Sequence, residues 1–316
     1  MNPLLLSLIP LSKTSLRSIS DACDRFDLEL QVVDDRSQRA AVVDAVAGRV
    51  RIVLTNGTTG LRGDEMAAMP GLRLIAALGV GYERIDIDAA RARGVPVVNG
   101  AGSNAACVAD HALGLLLAVI RGIRRLDIAC RDGIWRDRLP MFGQLAGKRV
   151  GIIGFVAIGS KIAQRVIGCD AEVAYHARSR RDTSPLTFFP DLAALADWCD
   201  HLVVAAPGGA DTHHLVDADI LSRLGPHGCL VNIARGSVVD TAALVAGLRD
   251  GRLFGAGLDV YESEPEPPRE LFGFANVVLT PHIGGTSPEA IAASVDLFIN
   301  NLRRFCAGDA LATPVR

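Results

Sequence analysis

The stretch "RVGIIGFVAIGSKIAQRV", residues 149–166, decides how the second half of the chain folds. After its first residue comes a short apolar run that predicts a buried strand, and its second half has the periodicity of an amphipathic helix. Between them, Gly154 and Gly159 occupy the outer glycine positions of a G-x-G-x-x-G turn, but Val156 occupies the middle one. A strand, a glycine-rich turn and a helix in this order are typical of a dinucleotide-binding unit, although a purely structural turn shares the pattern.

A second pattern, "EVAYHARSRR", favours the nucleotide interpretation. It ends the next predicted strand about twenty residues beyond the turn, where a site that prefers NAD carries Asp or Glu. This chain instead has His176 and Ala177, followed by Arg178, Ser179, Arg180 and Arg181. Arginine and serine side chains bind a 2′-phosphate through charge-assisted hydrogen bonds, whereas a carboxylate would repel it. The pattern therefore predicts that NADP(H) is preferred over NAD(H). The alternative is a solvated basic turn, but the spacing of this pattern after the glycine turn favours the NADP interpretation.

The composition limits the classes of partner. The chain has 316 residues, which suits two domains of ordinary size. Its 33 basic and 35 acidic residues give a formal net charge of −2, so nothing suggests a nucleic acid or an anionic membrane as partner. The N-terminal apolar run predicts a first strand rather than a signal peptide, and no apolar stretch approaches the roughly 20 residues of a membrane helix. The seven cysteines are scattered without a C-x-x-C pair, which predicts reduced thiols in a cytoplasmic protein.

Short apolar runs alternate with helix-like stretches along almost the whole chain. This alternation predicts an α/β fold of two Rossmann-like or flavodoxin-like domains, each a doubly wound parallel sheet, with a cleft between them. Two long helical stretches, residues 105–131 and 288–306, interrupt this alternation. We therefore expect one domain from residues 101–285 and another from residues 1–100 together with 286–316.

Six motifs occur in a fixed order along the chain. They are "ALGVGYERID", "VPVVNGAGSNAACVADHALGLLLA", "LAGKRVGIIGFVAIG", "VNIARGSVVD", "GAGLDVYESEP" and "LTPHIGGTS". Together they resemble the D-isomer-specific 2-hydroxyacid dehydrogenases, especially the branch of glyoxylate/hydroxypyruvate and hydroxyphenylpyruvate reductases. The resemblance implies that residues 1–100 with 286–316 bind the substrate and that residues 101–285 bind the dinucleotide.

The resemblance also implies roles for individual residues. The catalytic set would be Arg235, Glu264 and His282, with His282 paired to Glu264 and protonating the substrate carbonyl oxygen. Substrate would be bound by Arg235 and His282 and by the loop of Gly79, Val80 and Gly81. The residues implied to line the cofactor site are Gly154, Phe155, Val156, Ala157, Ile158, Gly159, His176, Ala177, Arg178, Ser179, Arg180, Ala206, Pro207, Thr212, Ile233, Ala234, Asp259, Gly284 and Gly285.

The chemistry of keto-acid reduction independently requires these residue types. As hydride reaches the carbonyl carbon, the oxygen needs a proton from an acid whose pKa is near neutral. Histidine is such an acid, and a neighbouring carboxylate raises its pKa by favouring the charged form. The planar carboxylate of the substrate matches the fork of an arginine guanidinium.

Val156 leaves a second class of function open. A branched side chain where phosphate oxygens approach should cost on the order of 1–3 kcal/mol, or roughly tenfold to a hundredfold in cofactor affinity. The alternative is therefore a catalytically weakened nucleotide-sensing or scaffold protein. A dehydrogenase of phosphite or formate is a third alternative.

The remaining expectations concern partners and metals. The crossover helix and "RDGIWRD", which contains Trp135, resemble the dimer-forming arm of the family and imply a homodimer. No metal site is expected, because His213 and His214, as neighbours on a strand, would point to opposite faces. No role is assigned to His111, His201 or His227.

Overall fold

The computed structural model describes residues 2–315, apart from the side chain of Arg36. The chain divides into two compact units. The first unit comprises the residues up to Asn104 together with those from Thr286 onward, and the second comprises Ala105–Gly285.

Each unit is built on a parallel sheet. The strands are β1 (Leu4–Ser7), β2 (Glu29–Val32), β3 (Val50–Thr55), β4 (Leu74–Ala77), β5 (Val97–Val98), β6 (Arg149–Ile153), β7 (Glu172–His176), β8 (Thr187–Phe189), β9 (His201–Val204), β10 (Cys229–Asn232), β11 (Gly255–Leu258) and β12 (Val277–Leu279).

Helices alternate with these strands, as the sequence predicts. They are α1 (Lys13–Asp24), α2 (Arg39–Val46), α3 (Gly63–Ala68), α4 (Ile87–Ala92), α5 (Ala105–Ile120), α6 (Ile123–Arg131), α7 (Ala157–Ile167), α8 (Leu192–Trp198), α9 (Ala218–Leu224), α10 (Thr241–Arg249) and α11 (Pro288–Ala307).

The first unit has the strand order β2-β1-β3-β4-β5, with every neighbouring pair parallel. This is the order of flavodoxin-like folds, in which helices cover both faces of the sheet. The C-terminal helix α11 completes the core, because its Phe298 and Leu302 are buried in one cluster with Leu5 of β1.

The second unit has the order β12-β11-β10-β9-β6-β7-β8, again entirely parallel. Its first strand in the chain, β6, lies between β7 and β9, so the winding reverses at that point as it does in Rossmann folds. Ligands of such sheets bind beyond the carboxyl ends of the strands at this reversal. The predicted fold class, two doubly wound parallel-sheet units, is confirmed.

One predicted element is wrong in detail. The helical stretch predicted over residues 105–131 is two helices, α5 and α6, which meet at 61°. The break lies at Gly122, whose φ of +61° is left-handed, and a Cβ there would lie 2.1 Å from the Phe142 ring. Glycine is therefore required at this position. The apolar periodicity continues across residue 122, so the sequence pattern does not predict the break.

No single helix within residues 2–315 is long and apolar enough to cross a membrane, although the bent pair of α5 and α6 would be if taken together.

Candidate active site

The residues predicted to bind the cofactor follow the carboxyl ends of strands in the second unit. Because the sheet is parallel, these ends share one edge. All the predicted cofactor residues lie at the ends of β6, β7, β9, β10, β11 and β12 or in the segments that follow these strands, including the first turn of α7. The turn at 154–159 follows β6, the strand at which the winding reverses.

The glycine turn is shaped by two positions that admit no side chain. Gly154 has a φ of +89°, and a Cβ there would lie 2.6 Å from the Ala206 backbone. A Cβ on Gly159 would lie 2.0 Å from the carbonyl oxygen of Gly154, so the helix can approach the strand only with glycine at this place.

Helix α7 begins at Ala157 without a side-chain cap from Val156. Its opening N–H groups at Ala157 and Ile158 can therefore bind an anion, as helix N-termini do. The Val156 side chain is 49% exposed at this position, beside the place where a diphosphate would approach. The two glycines and the free N-terminus of α7 thus fit a dinucleotide, whereas the Val156 side chain does not.

The loop after β7 presents Arg178, Ser179 and Arg180 to solvent. His176, at the end of the strand, is partly buried, and its Nδ1 lies 3.0 Å from the carbonyl oxygen of Phe189. No carboxylate occurs among residues 176–180, so the surface that would meet the adenosine ribose is positively charged.

Arg181, the last residue of the basic pattern, connects this loop to the glycine turn. Its Nε donates a hydrogen bond to the carbonyl oxygen of Phe155 at 3.3 Å, and its backbone N–H donates to the Tyr175 hydroxyl at 2.8 Å. The Phe155 and Tyr175 rings stack with centroids 4.1 Å apart. These contacts fix the two phosphate-facing loops relative to each other.

Other predicted cofactor residues line the same edge. Ala206 and Pro207 follow β9, and the Thr212 hydroxyl donates to the Pro207 carbonyl oxygen at 2.8 Å. Ile233 and Ala234 follow β10 and are buried. Both loops are thereby fixed with their backbones at the edge of the sheet.

His282 and Glu264 lie together, with the histidine Nδ1 2.8 Å from the carboxylate Oε2. Burial is the largest single influence on the pKa of Glu264 and raises it. The hydrogen bonds from His282 and from the Tyr261 amide, and then the charges of His282 and Arg235, together hold this pKa below its usual range. The hydrogen bond to Glu264 raises the pKa of His282 above its usual value, although burial and the charge of Arg235 oppose this. The pair therefore favours an imidazolium beside a carboxylate.

Backbone contacts position this pair. His282 has a left-handed φ of +52°, and its N–H donates to the Asp259 carbonyl oxygen at 2.8 Å. Glu264 is held at its other oxygen, Oε1, by the N–H of Tyr261 at 2.9 Å. Strained backbone of this kind is typical of residues held for function.

Arg235 brings a positive charge to the pair. Its aliphatic stem is closely packed on Gly208, where a Cβ would lie 2.8 Å from the arginine Cγ. One guanidinium nitrogen donates to the carbonyl oxygen of Ala234 at 2.6 Å. Its charge contributes to lowering the pKa of Glu264 and works against protonation of His282. The structure thus brings the three predicted catalytic residues into one electrostatic group within the second unit.

Asp259 is the centre of a buried network beside His282. The Thr280 hydroxyl donates to its Oδ1 at 2.6 Å, and the N–H groups of Ile283 and Gly284 donate to Oδ1 and Oδ2 at 3.0 and 2.8 Å. Burial alone would raise the pKa of Asp259, but the hydrogen bonds from His111, Thr280 and the two amides together lower it. The carboxylate therefore stays charged although its side chain is only 4% exposed.

His111 of α5 completes this network, and sequence reasoning missed it. Its Nε2 lies 2.8 Å from the Thr280 hydroxyl and 3.4 Å from Asp259 Oδ1. Because the Thr280 proton points to Asp259, His111 Nε2 is the donor to Thr280. No local pattern signals the contact, since 169 residues separate the partners.

In the first unit, the predicted substrate loop follows β4. Gly79 has a φ of +107°, and its N–H donates to the Ser294 hydroxyl at 3.0 Å. The Val80 carbonyl oxygen accepts from Asn99 at 2.7 Å. The amides of Val80 and Gly81 donate to no acceptor within residues 2–315, which leaves these two N–H groups for a ligand.

The expectation that His213 and His214 point to opposite faces is wrong. They lie in a turn rather than on a strand, and their rings stack with centroids 4.0 Å apart. His214 has a left-handed φ of +51°, and this backbone conformation removes the alternation that a strand would impose.

Comparison with known proteins identifies the family. The model of the NAD-binding domain of D-isomer specific 2-hydroxyacid dehydrogenases matches residues 113–284. The chain belongs to this family. It is 39% identical over 270 residues to a hydroxyphenylpyruvate reductase of Plectranthus scutellarioides, covering 85% of this chain and 86% of that protein. It is 40% identical over 271 residues to a 2-ketogluconate reductase of Gluconobacter oxydans, covering 85% and 87%.

A solved structure agrees over nearly the full length of this dehydrogenase. The NADPH-dependent glyoxylate/hydroxypyruvate reductase of Sinorhizobium meliloti, in complex with NADP and malonate, has a TM-score of 0.88 and 36% identity. The comparison covers 100% of this chain and 97% of that one. The dehydrogenase is thus an NAD(P)-dependent oxidoreductase, and the resemblance inferred from six motifs is confirmed.

Proposed function

We propose that this dehydrogenase is an NADPH-preferring reductase that converts small 2-keto acids, such as glyoxylate, hydroxypyruvate or an aryl-pyruvate, into D-2-hydroxy acids. The observation that carries the proposal is the 2.8 Å pairing of His282 with Glu264, in the electrostatic field of Arg235. In this proposal the second unit binds the dinucleotide and the first unit binds the substrate.

Arg235 binds and orients the substrate. Its planar guanidinium forms paired hydrogen bonds with a carboxylate, and the amides of Val80 and Gly81 contribute further donors. Anchoring the carboxylate holds the adjacent carbonyl in one orientation, which removes much of the entropy cost of reaction.

His282 is the proton donor. When bound, the nicotinamide supplies the hydride that reduces the carbonyl carbon. Glu264 holds His282 through Nδ1, so Nε2 is left to donate its proton to the carbonyl oxygen. The charge of Glu264 keeps the imidazole protonated until transfer, and the positive charge of Arg235 favours its release.

The residues around the cofactor favour NADPH. Arg178, Ser179 and Arg180 supply donors and positive charge at the place where NAD-specific sites carry an acid. The amides of Ala157 and Ile158 would hold the diphosphate at the N-terminus of α7, and Asp259 and Gly284 would line the nicotinamide end.

Steady-state assays test the proposal. Purified protein is given NADPH or NADH with glyoxylate, hydroxypyruvate and an aryl-pyruvate in turn, and loss of reduced-cofactor absorbance is followed. We expect turnover with at least one acid and a kcat/KM for NADPH at least about tenfold above that for NADH. Absence of turnover with every acid contradicts the reductase, and equal use of NADH contradicts the cofactor preference.

Val156 supports a second candidate function, a nucleotide-sensing or scaffold protein of the same family. Its exposed side chain at the start of α7 reduces the room for a diphosphate. If the protein binds NADPH in a titration but reduces no keto acid, this second function is favoured.

We propose that the protein is a homodimer formed through α5, α6 and the segment around Trp135. Trp135 is 68% exposed and Met141 99% exposed in the single chain, and Ile123 and Ile128 of α6 are also exposed. Such a surface is typical of an interface core. Analytical ultracentrifugation of the wild type and Trp135→Ser tests it, with a dimer and a weakened dimer expected.

We also propose a cytoplasmic location, because all seven cysteines are free thiols and reduced thiols persist in that compartment.

A further inference from the structure

Three side chains outside the catalytic group converge on the surface of the second unit. His213, His214 and Glu262 each offer one donor atom, and these atoms all lie within 4.8 Å of one another. His214 Nε2 lies 2.7 Å from Glu262 Oε1. No part of the proposed reduction uses any of the three.

The backbone places the two histidines together. The N–H of His214 donates to the carbonyl oxygen of Ser237 at 2.8 Å, which holds the residue at its left-handed φ of +51°. This conformation turns adjacent side chains to one side, where their rings stack. The arrangement is therefore set by the fold and not by the side chains alone.

Neighbouring groups orient the Glu262 and His214 side chains and leave one oxygen and one ring nitrogen available to bind an ion. Glu262 Oε2 accepts the N–H of Thr241 at 3.0 Å, so Oε1 remains directed at His214. The Asp240 carboxylate lies 3.9 Å from His214 Nδ1, on the far side of the ring. A carboxylate behind a ligating imidazole is a recurring feature of metal centres, where it fixes the ring and increases its basicity.

We propose that His213, His214 and Glu262 bind one divalent transition-metal ion, with Zn²⁺ as the representative ligand. Two imidazoles and one carboxylate are ligands that suit Zn²⁺, Ni²⁺ or Cu²⁺. Water would complete a tetrahedral site.

The geometry requires only a small adjustment. Ligand atoms around a tetrahedral ion with bonds of about 2.1 Å lie about 3.4 Å apart. His214 and Glu262 are already closer than this, and the His213 side chain, which is exposed, can rotate toward them. The ion would replace the proton that now lies between His214 and Glu262.

Calorimetric titration with Zn²⁺ tests the site, using protein without a histidine tag and treated beforehand with a chelator. We expect one Zn²⁺ per chain in the wild type and at least tenfold weaker binding in His213→Ala. His227→Ala, which removes an exposed histidine elsewhere on the second unit, is the matched control and should bind as the wild type does.

Two further measurements complete the test. The visible spectrum of the Co²⁺ complex should show the strong absorption of a tetrahedral site in the wild type and lose it in His213→Ala. Zn²⁺ should raise the Tm of the wild type but not of His213→Ala, because a ligand stabilises the state it binds. Equal Zn²⁺ affinity in the wild type and His213→Ala, or no binding by the wild type, overturns the proposal. Neither result bears on the reductase activity, which is assayed separately.

Discussion

His282 Nδ1 lies 2.8 Å from Glu264 Oε2, and in the proposed mechanism this pair provides the acid. The partner carboxylate is held by the amide of Tyr261 and stays charged, since its pKa is lowered. The histidine is thereby oriented through one ring nitrogen, and its protonated form is favoured because its pKa is raised; in the proposed mechanism the other nitrogen meets the substrate. A general acid placed in this way contributes about 10²–10⁴-fold to a rate.

Replacing the valine of the glycine turn should strengthen cofactor binding. In Val156→Gly the branched side chain at the N-terminus of α7 is removed, so a diphosphate can approach the helix amides more closely. We expect the Kd for NADPH to fall by roughly tenfold to a hundredfold, measured by fluorescence titration. Equal constants in the two proteins would show that the turn already accommodates the valine.

Removing the arginines after β7 should abolish the preference for NADPH. Each charge-assisted hydrogen bond contributes about 1.5–3 kcal/mol, so Arg178→Ser combined with Arg180→Ser should raise the Kd for NADPH at least about tenfold. The Kd for NADH should change little, because NADH lacks the 2′-phosphate. Arg249→Ser, at the exposed end of α10, is the control. A parallel loss of both affinities would contradict a specific phosphate contact.

His111 should affect catalysis without touching the reacting atoms. In His111→Leu the donor to Thr280 is lost, and the network that fixes Asp259 and the 282–284 backbone loosens. We expect kcat to fall about tenfold with KM nearly unchanged, and His111→Gln, which retains a donor, to recover part of the loss. If His111→Leu lowers only thermal stability and leaves kcat intact, the residue is merely structural.

A buried histidine in β9 should make the fold sensitive to acid. Burial lowers the pKa of His201 to about 4, and its Nε2 has no hydrogen-bond partner within residues 2–315. An unfolded histidine titrates near 6.5, so unfolding takes up a proton at pH values between about 4 and 6.5. The contribution of neutral His201 to the free energy of unfolding is fully present above pH 6.5. Between pH 6.5 and about 4 the free energy of unfolding falls by about 3 kcal/mol in total from this group.

The measurement is the urea midpoint of unfolding at several pH values across this window. His201→Leu should flatten the decline toward acid, whereas the exposed His227→Ala should leave it as in the wild type. An equally steep decline in His201→Leu would mean that other groups cause it.

The strands could be predicted where burial on both faces leaves an unbroken apolar run, as in β1, β3, β6 and β9. The sequence pattern missed β2 and β8, because these edge strands are partly exposed and carry mixed side chains. The helix break at Gly122 also escaped prediction, since the ring of Phe142 that requires glycine comes from a distant loop.

The candidate site was predictable for a different reason. Arg235, Glu264 and His282 were singled out through motif order and resemblance, and the parallel sheet brings the ends of β10, β11 and β12 to one edge. The role of His111 and the pairing of His214 with Glu262 carry no local signal. The basic pattern includes Arg181 but does not predict its hydrogen bond to the Phe155 carbonyl oxygen. Each of these contacts depends on a conformation or a distance along the chain that periodicity does not encode.

The pH dependence of NADPH-dependent keto-acid reduction tests the central claim most directly. Wild type and Glu264→Gln are compared from about pH 5 to 10. The value of kcat/KM should be at its maximum while His282 is protonated and should fall as the pH rises through the pKa of His282. Because Glu264 raises that pKa, the fall should lie above pH 6.5 in the wild type and move to lower pH in Glu264→Gln. His282→Gln should lose about 10²–10⁴-fold in kcat while still binding NADPH. An alkaline limb at the same pH in wild type and Glu264→Gln, or undiminished turnover by His282→Gln, would contradict the account.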